Sequence, residues 1–146
     1  APRVADAVDR MLAAEMRGGK LEGRDREALE AYLLSLAPFD RRRIQPDGAP
    51  VEPSTLSARR GYAVFAKAEC TDCHPAPVYS RAKLVDIGSG GRFAIPTLRG
   101  ASAAGPFGHD GRWPDLETAV RAHFPAGGVE LGSDEMTQLL EYLKLL

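Results

Sequence analysis

The most restrictive feature of the sequence is the pentapeptide CTDCH at positions 70–74, in which two residues separate two cysteines and a histidine follows directly. Cysteines at this spacing lie about one helical turn apart, so both thiols can reach neighbouring positions on one edge of a flat ring. The C-x-x-C-H pattern is the attachment signal of c-type haem: the thiols add to the two vinyl groups and the histidine binds the iron. We therefore expect one covalent haem c on Cys70 and Cys73, with His74 as its proximal ligand.

Two other chemistries use closely spaced cysteines. A thioredoxin-like redox pair needs a βαβ context, and the sequence predicts none around Cys70 and Cys73. A zinc site completed by His109 and His123 would need histidines three to five positions apart, but these two are fourteen apart. Haem attachment is therefore the favoured interpretation of the motif.

The rest of the sequence predicts helices joined by long loops. Apolar residues recur at helical spacing in five segments, namely 4–16, 23–36, 57–69, 116–124 and 133–146. The N-caps predicted for the last four are Asp25, Ser57, Asp115 and either Ser133 or Asp134. Residues 75–114 are rich in Pro and Gly and show no sustained period, and no convincing strand pattern occurs. We predict an all-α, cytochrome c-like fold whose long loops are ordered by wrapping the haem.

A change of composition divides the predicted fold. Residues 40–53 contain three consecutive arginines and three prolines, which is typical of an extended, semi-rigid linker. We therefore predict a two-helix appendage over residues 1–39 and a mono-haem domain over residues 54–146.

Overall composition limits the classes of partner. Nineteen Lys and Arg balance twenty Asp and Glu, and this near-neutral charge argues against a binder of nucleic acid. No apolar run approaches the ~20 residues needed to span a bilayer. The first ten residues lack the profile of a secretory signal, so we expect either a cytosolic chain or one whose leader has been removed.

The residues alone leave the sixth position of the iron open. Met136 is at the start of the last helix and is more simply explained as a core residue. His109 lies in a Gly-containing turn, and His123 lies on a short helix where a core histidine is the ordinary outcome. The methionines at positions 11 and 16 are further alternatives.

The stretch FAIPTLRGASAAGPFGHDGRWPDLETAVRAHF resembles the C-terminal haem domain of bacterial di-haem cytochrome c peroxidases and MauG-like proteins. The shared pattern is a Pro-Thr-Leu-Arg, a variable spacer, a His-Asp-Gly and a short helix, and the resemblance covers about residues 58–146. In that family a Met or Tyr distal ligand occupies the helix position of His123. The resemblance therefore implies a six-coordinate haem with His74 and His123 as axial ligands, with Met11, His109 and Met136 as alternatives.

The resemblance has three further implications. Arg99 is a candidate partner of a haem propionate, since a guanidinium matches a carboxylate, although a solvated loop arginine is the alternative. Gly61 and Phe65 precede the motif as in cytochromes c, where the first and last helices cross closely at such a pair, here against Leu139 and Tyr142. Haem attachment of this kind implies a periplasmic or exported protein.

The two ends of the chain also resemble each other. AVDRML at 7–12 parallels AVRAHF at 119–124, and LEAYLLSL at 29–36 parallels LLEYLKLL at 139–146. This repeat predicts that the N-terminal helices are the closing pair of a preceding haem domain, or that they form a homodimer. Two unrelated amphipathic helices are the alternative.

Filled axial positions predict an electron-transfer module that exchanges electrons with redox protein partners. The alternative is enzymatic: an electron-feeding domain of a di-haem peroxidase or MauG-like oxidase, with catalysis at another haem or after loss of the distal ligand. A sensor or structural haem domain is a third class. Two imidazoles favour ferric iron relative to a thioether, so we expect a comparatively low reduction potential.

Overall fold

The computed structural model of the chain describes residues 4–14, 16–19, 21–36, 43–124 and 129–146. Its helices are α1 (Val4–Ala14), α2 (Gly23–Ser35), α3 (Leu56–Lys67), α4 (Cys70–Cys73), α5 (Leu116–Ala122) and α6 (Ser133–Leu143). Two short strands, β1 (Leu84–Val85) and β2 (Phe93–Ala94), pair antiparallel, and Ala101–Ala103 form a 3₁₀ helix. The predicted all-α class is confirmed at this level, while the small hairpin is an addition. Within these ranges no helix has the length and apolar character needed to cross a membrane.

The helices belong to two compact units, Ala1–Pro38 and Phe39–Leu146. In the first unit, α1 and α2 are joined by Arg26, whose guanidinium donates to Asp9 at 3.1 Å and lies 3.7 Å from Asp6. Apolar burial is slight: Ala5 is the buried residue of α1, and α2 has none. The apolar residues at helical spacing in α2 are only partly covered: Leu29 and Leu33 are half-buried, and Tyr32 is exposed.

In the second unit, α3 and α6 cross at Gly61. A Cβ atom there would lie 1.9 Å from the carbonyl oxygen of Gln138 and 2.8 Å from the Cβ of Tyr142. Only glycine allows the two backbones to approach this closely. Phe65 and Leu139 are buried beside the crossing, so the predicted glycine and aromatic contact between the first and last helices of this unit is confirmed.

The observed N-cap agrees with the predicted one for α5 and differs from it for α2, α3 and α6. Asp115 accepts from the backbone N–H of Thr118 at 2.7 Å, as predicted. For α3 the cap is Thr55, whose hydroxyl accepts from Ala58 N at 3.1 Å, and the prediction of Ser57 is wrong by two positions. The N-caps of α2 and α6 are Glu22 and Gly132, against predictions of Asp25 and of Ser133 or Asp134.

The described part of the predicted linker, residues 43–53, packs into the second unit. Ile44 is buried in the core next to α3 and α6, and it bridges to Pro50. The hydroxyl of Tyr142 donates to the carbonyl oxygen of Gly48 at 2.8 Å. This segment therefore contributes core and hydrogen bonds in addition to connecting the two units.

Candidate haem-binding site

The attachment residues lie on a single turn directly after α3. The chain turns at Glu69, which has a left-handed φ of 56°, and α4 then carries Cys70 and Cys73. The N–H of His74 donates to the carbonyl oxygen of Cys70 at 2.8 Å, which closes the turn. The structure thus places both thiols and the imidazole on one short segment, as a group bound to all three requires.

Both cysteines are free and partly buried. Burial raises the pKa of the Cys70 thiol to about 11, so this thiol is protonated at neutral pH. Redox-active C-x-x-C sites instead lower the pKa of a cysteine to form a thiolate. In the described parts of the chain, no three His, Cys, Asp or Glu side chains are gathered as a metal ion would require, so the residues of the zinc alternative do not form such a group.

His74 has the environment of an axial ligand. It is 8% exposed, and its Nδ1 lies 2.9 Å from the carbonyl oxygen of Tyr79. Because a carbonyl can only accept, Nδ1 carries the proton and Nε2 is the nitrogen left for a metal. Burial lowers the pKa of His74, against the raising effects of the Tyr79 and Pro96 carbonyls, and this favours the neutral imidazole that binds iron.

His123, at the end of α5, repeats the hydrogen bond of His74 but not its burial, since His123 is exposed. Its Nδ1 lies 2.7 Å from the carbonyl oxygen of Ala119, so Nε2 is again the nitrogen left for a metal. The ring of Trp113 lies beside it, with centroids 6.0 Å apart.

The alternative sixth ligands have other surroundings. The ring of His109 stacks on Phe93 of β2, with centroids 3.8 Å apart and planes at 13°, and its Nε2 lies 4.0 Å from Asp110. Met136 is buried in the core of the second unit, as predicted. Met11 belongs to the first unit and is 58% exposed.

The Pro-Thr-Leu-Arg segment binds the loop that follows His74. Three consecutive residues of this segment donate hydrogen bonds to three consecutive backbone carbonyls. The pairs are Thr97 Oγ1 to Val78 O at 2.6 Å, Leu98 N to Tyr79 O at 3.2 Å, and Arg99 Nε and Nη2 to Pro77 O at 2.8 and 2.6 Å. We call these three residues the loop clamp.

Arg99 is therefore engaged with the loop, and its Cζ also lies 5.3 Å from the ring centroid of Tyr79. The sequence shows a guanidinium but not its acceptor, because a backbone carbonyl has no residue-type signature. The pairing of Arg99 with a propionate stays a prediction.

Tyr79 is the site residue that sequence reasoning missed. It is fully buried, has a left-handed φ of 51°, and its hydroxyl lies 3.1 Å from that of Tyr142. Because the Tyr142 hydroxyl donates its hydrogen bond to the carbonyl oxygen of Gly48, the Tyr79 hydroxyl must be the donor to Tyr142. Burial raises the pKa of both tyrosines, so both stay protonated.

No family model matches the chain. Two curated proteins are similar to it, and both are described as methylamine utilization protein MauG. The one from Methylophilus methylotrophus is 30% identical over 119 residues, which is 67% of this chain and 34% of that protein. The one from Methylorubrum extorquens is 33% identical over 112 residues, or 63% of this chain and 30% of that protein. The chain thus spans about a third of the length of these relatives.

The fold is also similar to a solved structure of Kuenenia stuttgartiensis hydrazine synthase pressurized with 20 bar xenon. The TM-score is 0.65 with 22% sequence identity, and the match covers 97% of this chain and 61% of the other. At this identity the similarity concerns the fold alone. The two curated relatives support a MauG-like haem domain and confirm the family resemblance stated from the sequence.

Proposed function

We propose that the MauG-like haem domain of this chain transfers electrons through one covalent haem c held between His74 and His123. Cys70 and Cys73 would form the two thioether bonds. When bound, the haem supplies an iron that cycles between the ferric and ferrous states. The protein's part is to supply two neutral imidazoles, keep them oriented and leave the iron no free position.

The observation that carries this proposal is the matched hydrogen bonding of the two histidines. Each donates its Nδ1 proton to a backbone carbonyl, Tyr79 for His74 and Ala119 for His123. This is the arrangement by which proteins fix the tautomer and ring orientation of a metal-bound histidine.

His123 stands where the resembling family has Met or Tyr, and this departure sets the expected chemistry. Imidazole stabilises ferric iron relative to a thioether, so we propose a comparatively low reduction potential. A saturated iron cannot bind peroxide unless it loses a ligand. Electron exchange with redox protein partners is therefore the activity that these residues support best.

Carbon monoxide binding to the reduced protein tests the distal ligand. We expect no binding to the unaltered chain and rapid binding to His123→Ala, because the substitution opens the sixth position. His109→Ala is the matched control and should behave like the unaltered chain. If carbon monoxide bound after His109→Ala but not after His123→Ala, His109 would be assigned as the distal ligand instead.

The second candidate function is an electron-feeding domain of a larger oxidase or peroxidase. The two curated relatives favour this candidate, because this chain spans only about a third of their length and so corresponds to one part of a larger protein. Rapid spectral change of the unaltered chain with peroxide would support catalysis at this haem after loss of the distal ligand, and it would contradict both the electron carrier and the electron-feeding domain. In either case we propose a periplasmic or exported location, as the covalent haem of this family implies.

For the first unit we propose a role as the closing helix pair of a preceding haem domain. The starts of α1 and α2 match those of α5 and α6, with the first pair two residues further apart, as in the sequence repeat. In this alignment Tyr32 corresponds to Tyr142, yet Tyr32 is 61% exposed. If the unit instead forms a homodimer, analytical ultracentrifugation of the chain will show a dimer. The Tyr32→Glu substitution, which places a charge on the exposed face of α2, should then dissociate it.

A further inference from the structure

We infer that the loop clamp positions the proximal histidine, and that Thr97 and Arg99 do so through the carbonyl oxygen of Tyr79. The inference rests on the proposed attachment of haem at His74, but not on the identity of the sixth ligand. It assigns Arg99 a role different from the propionate pairing that the sequence suggests.

The central atom is the carbonyl oxygen of Tyr79. It accepts one hydrogen bond from His74 Nδ1 at 2.9 Å and another from Leu98 N at 3.2 Å. The two lone pairs of a carbonyl suffice for both donors. The position of this oxygen, and with it the bond to His74, therefore depends on where the clamp holds the loop.

The clamp also holds the two residues that precede Tyr79 in the loop. Thr97 Oγ1 binds Val78 O at 2.6 Å, and the fork of Arg99 binds Pro77 O through two nitrogens. The charged donor makes the second contact stronger than a neutral hydrogen bond. Three successive carbonyls are thus tied to one segment.

The backbone of Tyr79 needs such support. Its φ of 51° is in the left-handed region, which side chains other than glycine occupy at a cost that the surroundings must offset. Arg99 lies over one face of its ring, and its hydroxyl is held by Tyr142. The Tyr79 carbonyl, which accepts the hydrogen bond from His74, is therefore held in place through the Tyr79 ring as well as through the backbone.

The clamp should influence the iron through the basicity of His74. A carbonyl that accepts the Nδ1 proton makes the imidazole a stronger electron donor, which stabilises ferric iron. Loosening the loop weakens this bond, so the reduction potential should rise. If Arg99 instead paired with a propionate, removing its positive charge should lower the potential, because a cation near the haem favours the reduced state.

The test compares Thr97→Val and Arg99→Leu in the full haem-loaded chain. Thr97→Val removes the donor to Val78 O and the acceptor of the Arg99 N–H, without changing charge or size. Arg59→Leu is the matched control, since Arg59 is an exposed arginine of α3 paired with Glu52. Two quantities are measured. One is the reduction potential, and the other is the exchange rate of the His74 Nδ1 proton, which nuclear magnetic resonance of the ferrous form reports.

Thr97→Val, which leaves the charge unchanged, should raise the potential, and both clamp variants should speed this exchange about tenfold, the effect of a lost hydrogen bond. Arg59→Leu should change neither. If Arg99→Leu does not fold, Arg99→Lys keeps the charge while losing the fork, and it should raise the potential.

The inference is overturned if Arg99→Leu lowers the potential while Thr97→Val leaves potential and exchange unchanged, since Arg99 would then act by charge. It is also overturned if all variants match the unaltered chain. Absence of covalent haem on the unaltered chain would instead contradict the proposed function, so the two failures are distinguishable.

Discussion

The two helix pairs at the ends of the chain have similar sequences and different surroundings. In α6, Leu139 is buried and Tyr142 is 0% exposed, because both pack against α3. Their counterparts in α2, Leu29 and Tyr32, lie on a helix with no buried residue. The comparison shows that an apolar stripe specifies a face for packing, while burial depends on a partner helix that can approach it.

The glycine of the partner helix should be the largest single contribution to this difference. Gly61→Ala places a Cβ within 1.9 Å of a carbonyl oxygen of α6, so the helices must separate. We expect a loss of at least about 4 kcal/mol in the free energy of unfolding. Trp113 is the only tryptophan and lies in the second unit, so its fluorescence in urea reports the unfolding of that unit.

Gly132→Ala is the control for this prediction, because no heavy atom lies within 4 Å of a Cβ at that position. It should cost less than about 1 kcal/mol, the range of an altered helix start. Equal losses from both substitutions would show that the crossing is looser than the structure indicates.

The matched leucines should give the next largest effect. Leu139→Ala leaves a cavity against α3, and we expect it to cost about 3 kcal/mol in the same unfolding measurement. Leu29→Ala, at the corresponding position of α2, should leave the tryptophan transition within about 0.5 kcal/mol of the original. If Leu29→Ala destabilised the second unit as much as Leu139→Ala does, the conclusion that the two helix pairs differ in their packing would be wrong.

The matched tyrosines should give the smallest effect. Tyr142→Phe removes the donor to Gly48 and the acceptor of the Tyr79 hydroxyl, so we expect a loss of about 1–2 kcal/mol. Tyr32→Phe should leave the stability of the second unit unchanged, because Tyr32 lies in the other unit and is mostly exposed. A large effect of Tyr32→Phe on the tryptophan transition would indicate coupling between the units.

Features with a regular sequence period were predictable. The 3.6-residue spacing located the helices to within a few residues, and Gly61 with Phe65 indicated the crossing with α6. β1 and β2 are two residues each, too short for an alternating pattern to show. The burial of Ile44 was not predictable either, because it lies in a segment whose Pro and Arg content is typical of a linker.

The candidate site was predictable where chemistry depends on side chains. Cys70, Cys73 and His74 carry their own pattern, and the structure places them on one turn. The loop clamp was not predictable, because its acceptors are backbone carbonyls that any sequence provides. Tyr79 was missed for the same reason, since its contact with His74 uses its main chain.

The most direct test of the account is the electron paramagnetic resonance spectrum of the purified ferric chain. We predict one low-spin signal typical of iron between two neutral imidazoles, from His74 and His123. A high-spin signal would contradict a filled sixth position, and a signal typical of sulfur ligation would contradict the second histidine. A chain that carries no haem would contradict the account as a whole.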